Sequence, residues 1–96
     1  MDAIRPSALH GIRVLDFTQA QQGPFATLLL ADMGADVIKV EPPGGEMGRA
    51  NGLGLDGFSS YFEGHNRGKR SLTLDLKKPE AVEVVRRLVP SIDVVV

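Results

Sequence analysis

The sequence predicts an α/β protein with a Rossmann-like parallel sheet, and three observations point to it. Residues 13–17 (RVLDF) and 36–40 (DVIKV) are short apolar runs with β-branched members, as in strands buried inside a sheet. Between them, residues 25–33 (FATLLLADM) contain good helix formers and neither glycine nor proline. After a long connection the pattern recurs as strand 71–77, helix 79–89 and strand 92–96. Strands joined through a helix imply parallel pairing with a right-handed crossover, so the expected order is β-α-β, loop, β-α-β. Ligands of such sheets bind outside the carboxyl ends of the strands. That places residues 18–23 and 41–45 at the expected site.

Each element has its local reason. Residues 1–10 form a polar, mobile lead-in, with the domain proper at 11–96. Gly23-Pro24 breaks the chain after the first strand, and a proline suits the first turn of the helix that follows. Phe25, Leu28, Leu29 and Met33 fall on one helical face, widened by Leu30 and Ala31, and are expected to be buried. Gly34 supplies a left-handed stop. Residues 46–70 are rich in glycine and have no sustained period, with a short helical turn expected around 58–62, where aromatic side chains pin the loop. In 71–77 (SLTLDLK), Leu72, Leu74 and Leu76 alternate with polar residues, which predicts a half-buried strand at a sheet edge. Pro79 opens a helix with the apolar stripe Ala81, Val82, Val85, Leu88 and Val89, and with Glu83 placed to pair with Arg86 or Arg87. The valine-rich residues 91–96 read as a buried strand with nothing after it, so the expectation is the front piece of a longer polypeptide.

Composition narrows the function. Ninety-six residues suffice for one small domain, and a net charge of -1 gives no reason to expect nucleic acid. The absence of cysteine excludes a disulfide scaffold and thiolate metal sites. No stretch has the length of a membrane span or the apolar core of a leader peptide, so the expectation is a cytoplasmic protein without membrane or metal partners.

The chemistry-bearing residues are few. A dinucleotide site of the usual kind needs G-x-G-x-x-G at the first turn, whereas this chain has Gln19-Ala20-Gln21-Gln22-Gly23, although Glu41 sits where a ribose-binding acid would. His10 and His65 have no paired spacing, and Ser59 and Ser60 lack a nucleophile elbow, so all four read as surface polar residues. Arg67, Lys69, Arg70, Lys77 and Lys78 are either a solvated basic face or a set of phosphate contacts. The glutamines of the first turn either cap strand ends or hydrogen-bond a ligand.

Two blocks, GIRVLDFTQAQQGPFATLLLADMGADVIKVEPPGG and NRGKRSLTLDLKKPEAVEVVRRL, resemble the N-terminus of the family III CoA-transferases, which share this opening with α-methylacyl-CoA racemases. The resemblance implies a Rossmann-like large domain, a small domain and an interlocked homodimer. It also implies coenzyme A as a substrate, with no tightly bound cofactor, and acyl-CoA and a carboxylic acid as the reaction partners. Carried over by position, CoA contacts fall on Gln21, Gln22, Leu74, Asp75, Leu76 and Lys77, with Arg67, Lys69 and Arg70 as weaker candidates for phosphate or for the dimer interface. Formyl-CoA members place an arginine after the acid of the second strand, where this chain has Pro42. The family's aspartate nucleophile lies beyond Val96, so no catalytic residue is expected in this chain. Alternatives are a racemase-type isomerase and a non-catalytic association module.

Overall fold

The computed structural model describes residues 6–50, 54–55 and 58–96. In chain order the elements are β1 (Arg13–Asp16), α1 (Gln22–Asp32), β2 (Asp36–Glu41), a 3-10 turn (Met47–Ala50), β3 (Gly54–Leu55), β4 (Phe58–Ser59), α2 (Ser60–Asn66), β5 (Arg70–Thr73), α3 (Pro79–Leu88), a second 3-10 turn (Val89–Ser91) and β6 (Val94–Val95). β5, β2, β1 and β6 lie side by side in that order as a four-stranded sheet whose pairings are all parallel, while β3 and β4 form a small antiparallel pair. β1 and β2 are neighbours, with Leu15 opposite Ile38, and α1 crosses between them as the apolar pattern requires.

Two clusters form the core, one on each face of the sheet. Val14, Ala35 and Val37 pack with Leu30 and Ala31 of α1, while Leu15, Ile38 and Val40 pack with Phe17, Leu72, Leu74 and the α3 residues Val85 and Leu88. Alternation along the strands therefore puts Asp16, Lys39 and Glu41 on the α1 face, toward the carboxyl ends of β1 and β2. All three are buried.

Gly34 ends α1 as expected. Its φ is +102°, its N–H donates to Ala31 O, and the next N–H, from Ala35, reaches back to Leu30 O. This is the paired 5→2 and 6→1 closure of a Schellman motif. The buried face of α1 differs from the expected one. Pro24, Thr27 and Leu28 point inward, while Phe25, Leu29 and Met33 are 50%, 45% and 45% exposed. The Thr27 hydroxyl donates 2.7 Å to Asp16 Oδ2, so a buried carboxylate, rather than side-chain size, orients the helix.

The second half has corrections of its own. Leu74 N–H still donates to Glu41 O, but β5 ends at Thr73 and does not run on to residue 77. Its partner β2 ends at Glu41 and the chain turns at once, with Gly45 N–H bonded to Pro42 O, so no strand remains beside residues 75–77 to extend the ladder. Residues 75–78 turn instead, with Lys78 N–H bonded to Asp75 O. The edge position of β5 is as expected. On α3, Ala81 is buried, yet Val82 and Val89 of the expected stripe are exposed. Glu83 faces both Arg86 and Arg87, at 3.9 and 3.5 Å. β6 forms the opposite edge, and Val94, Val95 and Val96 are 40%, 58% and 41% exposed where burial was expected. Among the described residues nothing covers them.

The lead-in is only partly a tail. Residues 1–5 lie outside the described residues, but Leu9 donates its N–H to Met33 O and packs on the Val14 cluster. Part of the glycine-rich connection, residues 51–53 and 56–57, is likewise outside them. The expected helical turn is α2. Phe62 pins it at 8% exposure, whereas Phe58 points out at 67%. Among the described residues no helix is long and apolar enough to cross a membrane.

Candidate functional site

The carboxyl ends of β1, β2 and β5 converge on three short connections. After β1 comes the turn 17–21, after β2 the turn 42–46, and after β5 the turn 74–78. The expected ligand residues sit here but in two separate hollows. Leu74, Asp75, Leu76 and Lys77 join Phe17, Gln19, Val40 and Pro42 around a hollow of about 350 Å³ on the α3 face. Gln21 and Gln22 line another of about 340 Å³ with Phe25 and His65. The first has apolar walls and a polar rim of Gln19, Asp75 and Lys77, a composition suited to a long amphiphilic ligand. Asp75 Oδ1 accepts the Lys77 N–H at 3.2 Å, which fixes the turn.

The five cations separate clearly. Arg67 pairs with Asp32 at 2.7 Å and Arg70 with Asp36 at 2.7 Å, both at the surface. Lys69 is not on the surface at all. Its Nζ lies 3.0 Å from Asp16 Oδ2 and donates to Pro24 O and Asn66 Oδ1, so all its donors are taken by the fold. Among the described residues only Lys77 and Lys78 have ammonium groups with no ion-pair partner.

Sequence reasoning passed over the charged residues beneath these turns. Asp16 Oδ1 accepts the Thr18 N–H at 2.7 Å and the Thr18 hydroxyl, and Oδ2 accepts from Thr27. Burial pushes the Asp16 carboxyl upward, but the hydroxyls of Thr18 and Thr27, the Thr18 N–H and the Lys69 charge together outweigh it and hold it below its ordinary value. Burial lowers the Lys69 ammonium, and Asp16 only partly offsets this. Lys39, 1% exposed, donates 2.9 Å to Thr18 O and faces Glu46 Oε1 at 3.6 Å. Glu46 Oε2 accepts the N–H groups of Ala20 and Gly48 at 2.9 and 2.8 Å. Glu46 Oε1 has no hydrogen-bond donor among the described residues, leaving the Lys39 charge as its compensation. The available signal was a lysine and two acids inside otherwise apolar strand runs, where unpaired charge is not tolerated.

Glu41 is committed to the fold at both of its oxygens. Arg49 grips both its oxygens at 2.7 Å, and the Glu46 N–H and the Ser71 hydroxyl complete its shell. The Arg49 bond, working against burial, holds the Glu41 carboxyl down at about 2. Arg49 itself lies 3.7 Å above the Phe62 ring. The charges of Lys39, Glu41, Arg49 and Lys69 that line a hollow of about 200 Å³ thus already have partners.

The residues read as surface polar groups divide. His10 and Ser60 are exposed. Ser59 is buried and accepts the Phe62 N–H as the cap of α2, and His65 Nδ1 lies 2.7 Å from Tyr61 O. Among the described residues no three His, Cys, Asp or Glu side chains cluster to hold a metal.

Comparison with known proteins agrees with the fold. The profile of CoA-transferase family III matches residues 9–96. Over 94 residues the chain is 51% identical to a succinyl-CoA:mesaconate CoA-transferase of Haloarcula hispanica, covering 93% of this chain and 24% of that protein. A formyl-CoA:oxalate CoA-transferase of Rhodopseudomonas palustris is 50% identical over 91 residues, covering 93% of this chain and 21% of that one. The crystal structure of Rv3272 from Mycobacterium tuberculosis in its orthorhombic form superimposes with a TM-score of 0.86 at 47% identity, covering 94% of this chain and 26% of that one. The chain therefore spans about a quarter of the length of the relatives it matches.

Proposed function

The chain belongs to CoA-transferase family III, and from that membership we propose that residues 11–96 supply part of the coenzyme A seat of an enzyme that moves CoA from an acyl thioester to a carboxylic acid. The hollow of about 350 Å³ at the carboxyl ends of the strands carries this reading. Its apolar walls suit the pantetheine arm, and the unpaired Lys77 ammonium at its rim suits a phosphate. Gln21 and Gln22, whose side chains have no hydrogen-bond partner among the described residues, offer amides to the same ligand from the second hollow.

The nucleophile is an aspartate outside this chain. The described aspartates support this, since each is committed elsewhere. Asp16 is buried against Lys69, Asp32 and Asp36 pair with arginines, Asp75 holds its own turn and Asp93 accepts the Arg13 N–H. The external carboxylate attacks the thioester carbonyl, the C–S bond breaks, and CoA leaves as thiolate from a mixed anhydride. The thiolate then attacks the aspartyl carbonyl and releases the donor acid, leaving an aspartyl-CoA thioester. The acceptor carboxylate displaces CoA to form a second anhydride, and thiolate attack on its acceptor carbonyl yields the new acyl-CoA and restores the aspartate. The enzyme works as an interlocked homodimer.

Relatives named for succinyl-CoA and for formyl-CoA match at nearly equal identity, so identity over this stretch favours neither donor. Isothermal titration with CoA tests the seat. Lys77→Ala is expected to weaken binding about tenfold, the loss of one charge-assisted phosphate contact. An unchanged affinity removes Lys77 from the site.

A further inference from the structure

We propose that Asp16, Lys39, Glu46 and Lys69 form a buried positioning cage for the loop that carries Gln21 and Gln22, tuning CoA affinity through the loop's backbone without contacting the ligand. The inference rests on the CoA reading above.

The four charges come from four separate stretches of sequence, and each is at most 2% exposed at its side chain. Three have a partner on the turn after β1, and the fourth has one in the first turn of α1. Asp16 takes the N–H and hydroxyl of Thr18, Lys39 takes the Thr18 carbonyl, Glu46 takes the Ala20 N–H, and Lys69 takes the Pro24 carbonyl. The turn is thereby held at residues 18 and 20 and the start of α1 at residue 24, on both sides of the two glutamines, while their own side chains remain unpaired.

The held conformation is one the backbone would not choose. Ala20 has φ +70°, the only positive φ of a non-glycine residue among those described. An alanine in this region is disfavoured unless its surroundings fix it. The Ala20 N–H bond to Glu46 is the contact that does so. A core of charges is also a poor way to gain stability alone, since apolar residues of the same volume serve as well or better. The cage makes sense as a device that orders the loop in advance, sparing the ligand the cost of ordering it.

Amide hydrogen exchange and CoA titration on the same protein decide the matter. In the parent, the Ala20 amide should exchange about a hundredfold more slowly than that of its neighbour Gln21. Glu46→Ala should abolish that protection and weaken CoA binding about tenfold. Glu46→Gln keeps an oxygen for the Ala20 and Gly48 N–H groups and should preserve most of both. Lys77→Ala should lower affinity while leaving Ala20 protected. The proposal is overturned if Ala20 in the parent exchanges as fast as Gln21, a result that needs no folded variant. It is also overturned if Glu46→Ala frees the amide with no loss of affinity, or if Glu46→Gln is as damaging as Glu46→Ala. A parent that binds no CoA overturns the reading beneath it and with it the claim on affinity, while the exchange result still judges the clamp by itself.

Discussion

Glu41 and Arg49 show how one residue pair sets an acid response. The Glu41 carboxyl is held at about 2 against an ordinary 4.5, so the folded state binds its proton less readily than the unfolded chain. A depressed carboxyl contributes stability that is complete above the unfolded value and is lost as pH falls through the folded one. The window therefore runs from about pH 4.5 down to about 2. Arg49 is 39% exposed, so solvent screening reduces the effect. We expect about 1–3 kcal/mol to disappear across that window. Urea unfolding at a series of pH values should show this in the parent, and Arg49→Gln should flatten the profile between those limits. A variant profile as steep as the parent's assigns the acid response to other groups.

At the scale of elements, α1 has the sharpest test. Gly34 sits at φ +102°, and a Cβ there would meet Ser7 Cβ at 2.4 Å. Gly34→Ala should therefore cost at least about 1–2 kcal/mol in thermal unfolding, from the left-handed backbone and the clash together. A cost near zero would mean that residues 6–10 give way freely. This stop was legible in the sequence because a glycine after the last turn has one principal use. The strands were legible too, since RVLD and DVIKVE have the composition of buried parallel strands. The inward face of α1 was not, because what turns it is the Thr27 hydroxyl on Asp16, a contact between residues eleven apart that no periodicity records. The end of β5 at Thr73 hid for a related reason: what stops it is the turn that follows its partner β2, about thirty residues away in sequence. Lys69 was misread as a surface cation because its counter-charge, Asp16, lies far away in sequence. Lys39 and Glu41 were the missed clue, as charges in an apolar run call for buried partners.

For the whole molecule, the exposed apolar surface matters most. Phe25, Leu29 and Met33 lie on one side of α1, and Val94 to Val96 lie along the open β6 edge. Both surfaces are of the kind that soluble monomers cover. We expect the 96-residue chain to associate with rising concentration in sedimentation experiments. Leu29→Glu combined with Phe25→Gln should reduce that association without lowering the unfolding temperature, because neither side chain is buried. Sedimentation as a monomer at all concentrations would show that these surfaces are tolerated in water.

The ionic cluster beneath the first turn also separates two properties that usually fail together. Truncating a single member leaves its counter-charge short of compensation in a dry place and should cost the molecule stability. Swapping all of them at once for hydrocarbon of matching volume should leave a protein at least as sturdy as the original by melting temperature. Such a redesign would have nothing left to grip the first turn. A protein engineer selecting only for heat resistance would drift toward that well-folded but idle molecule.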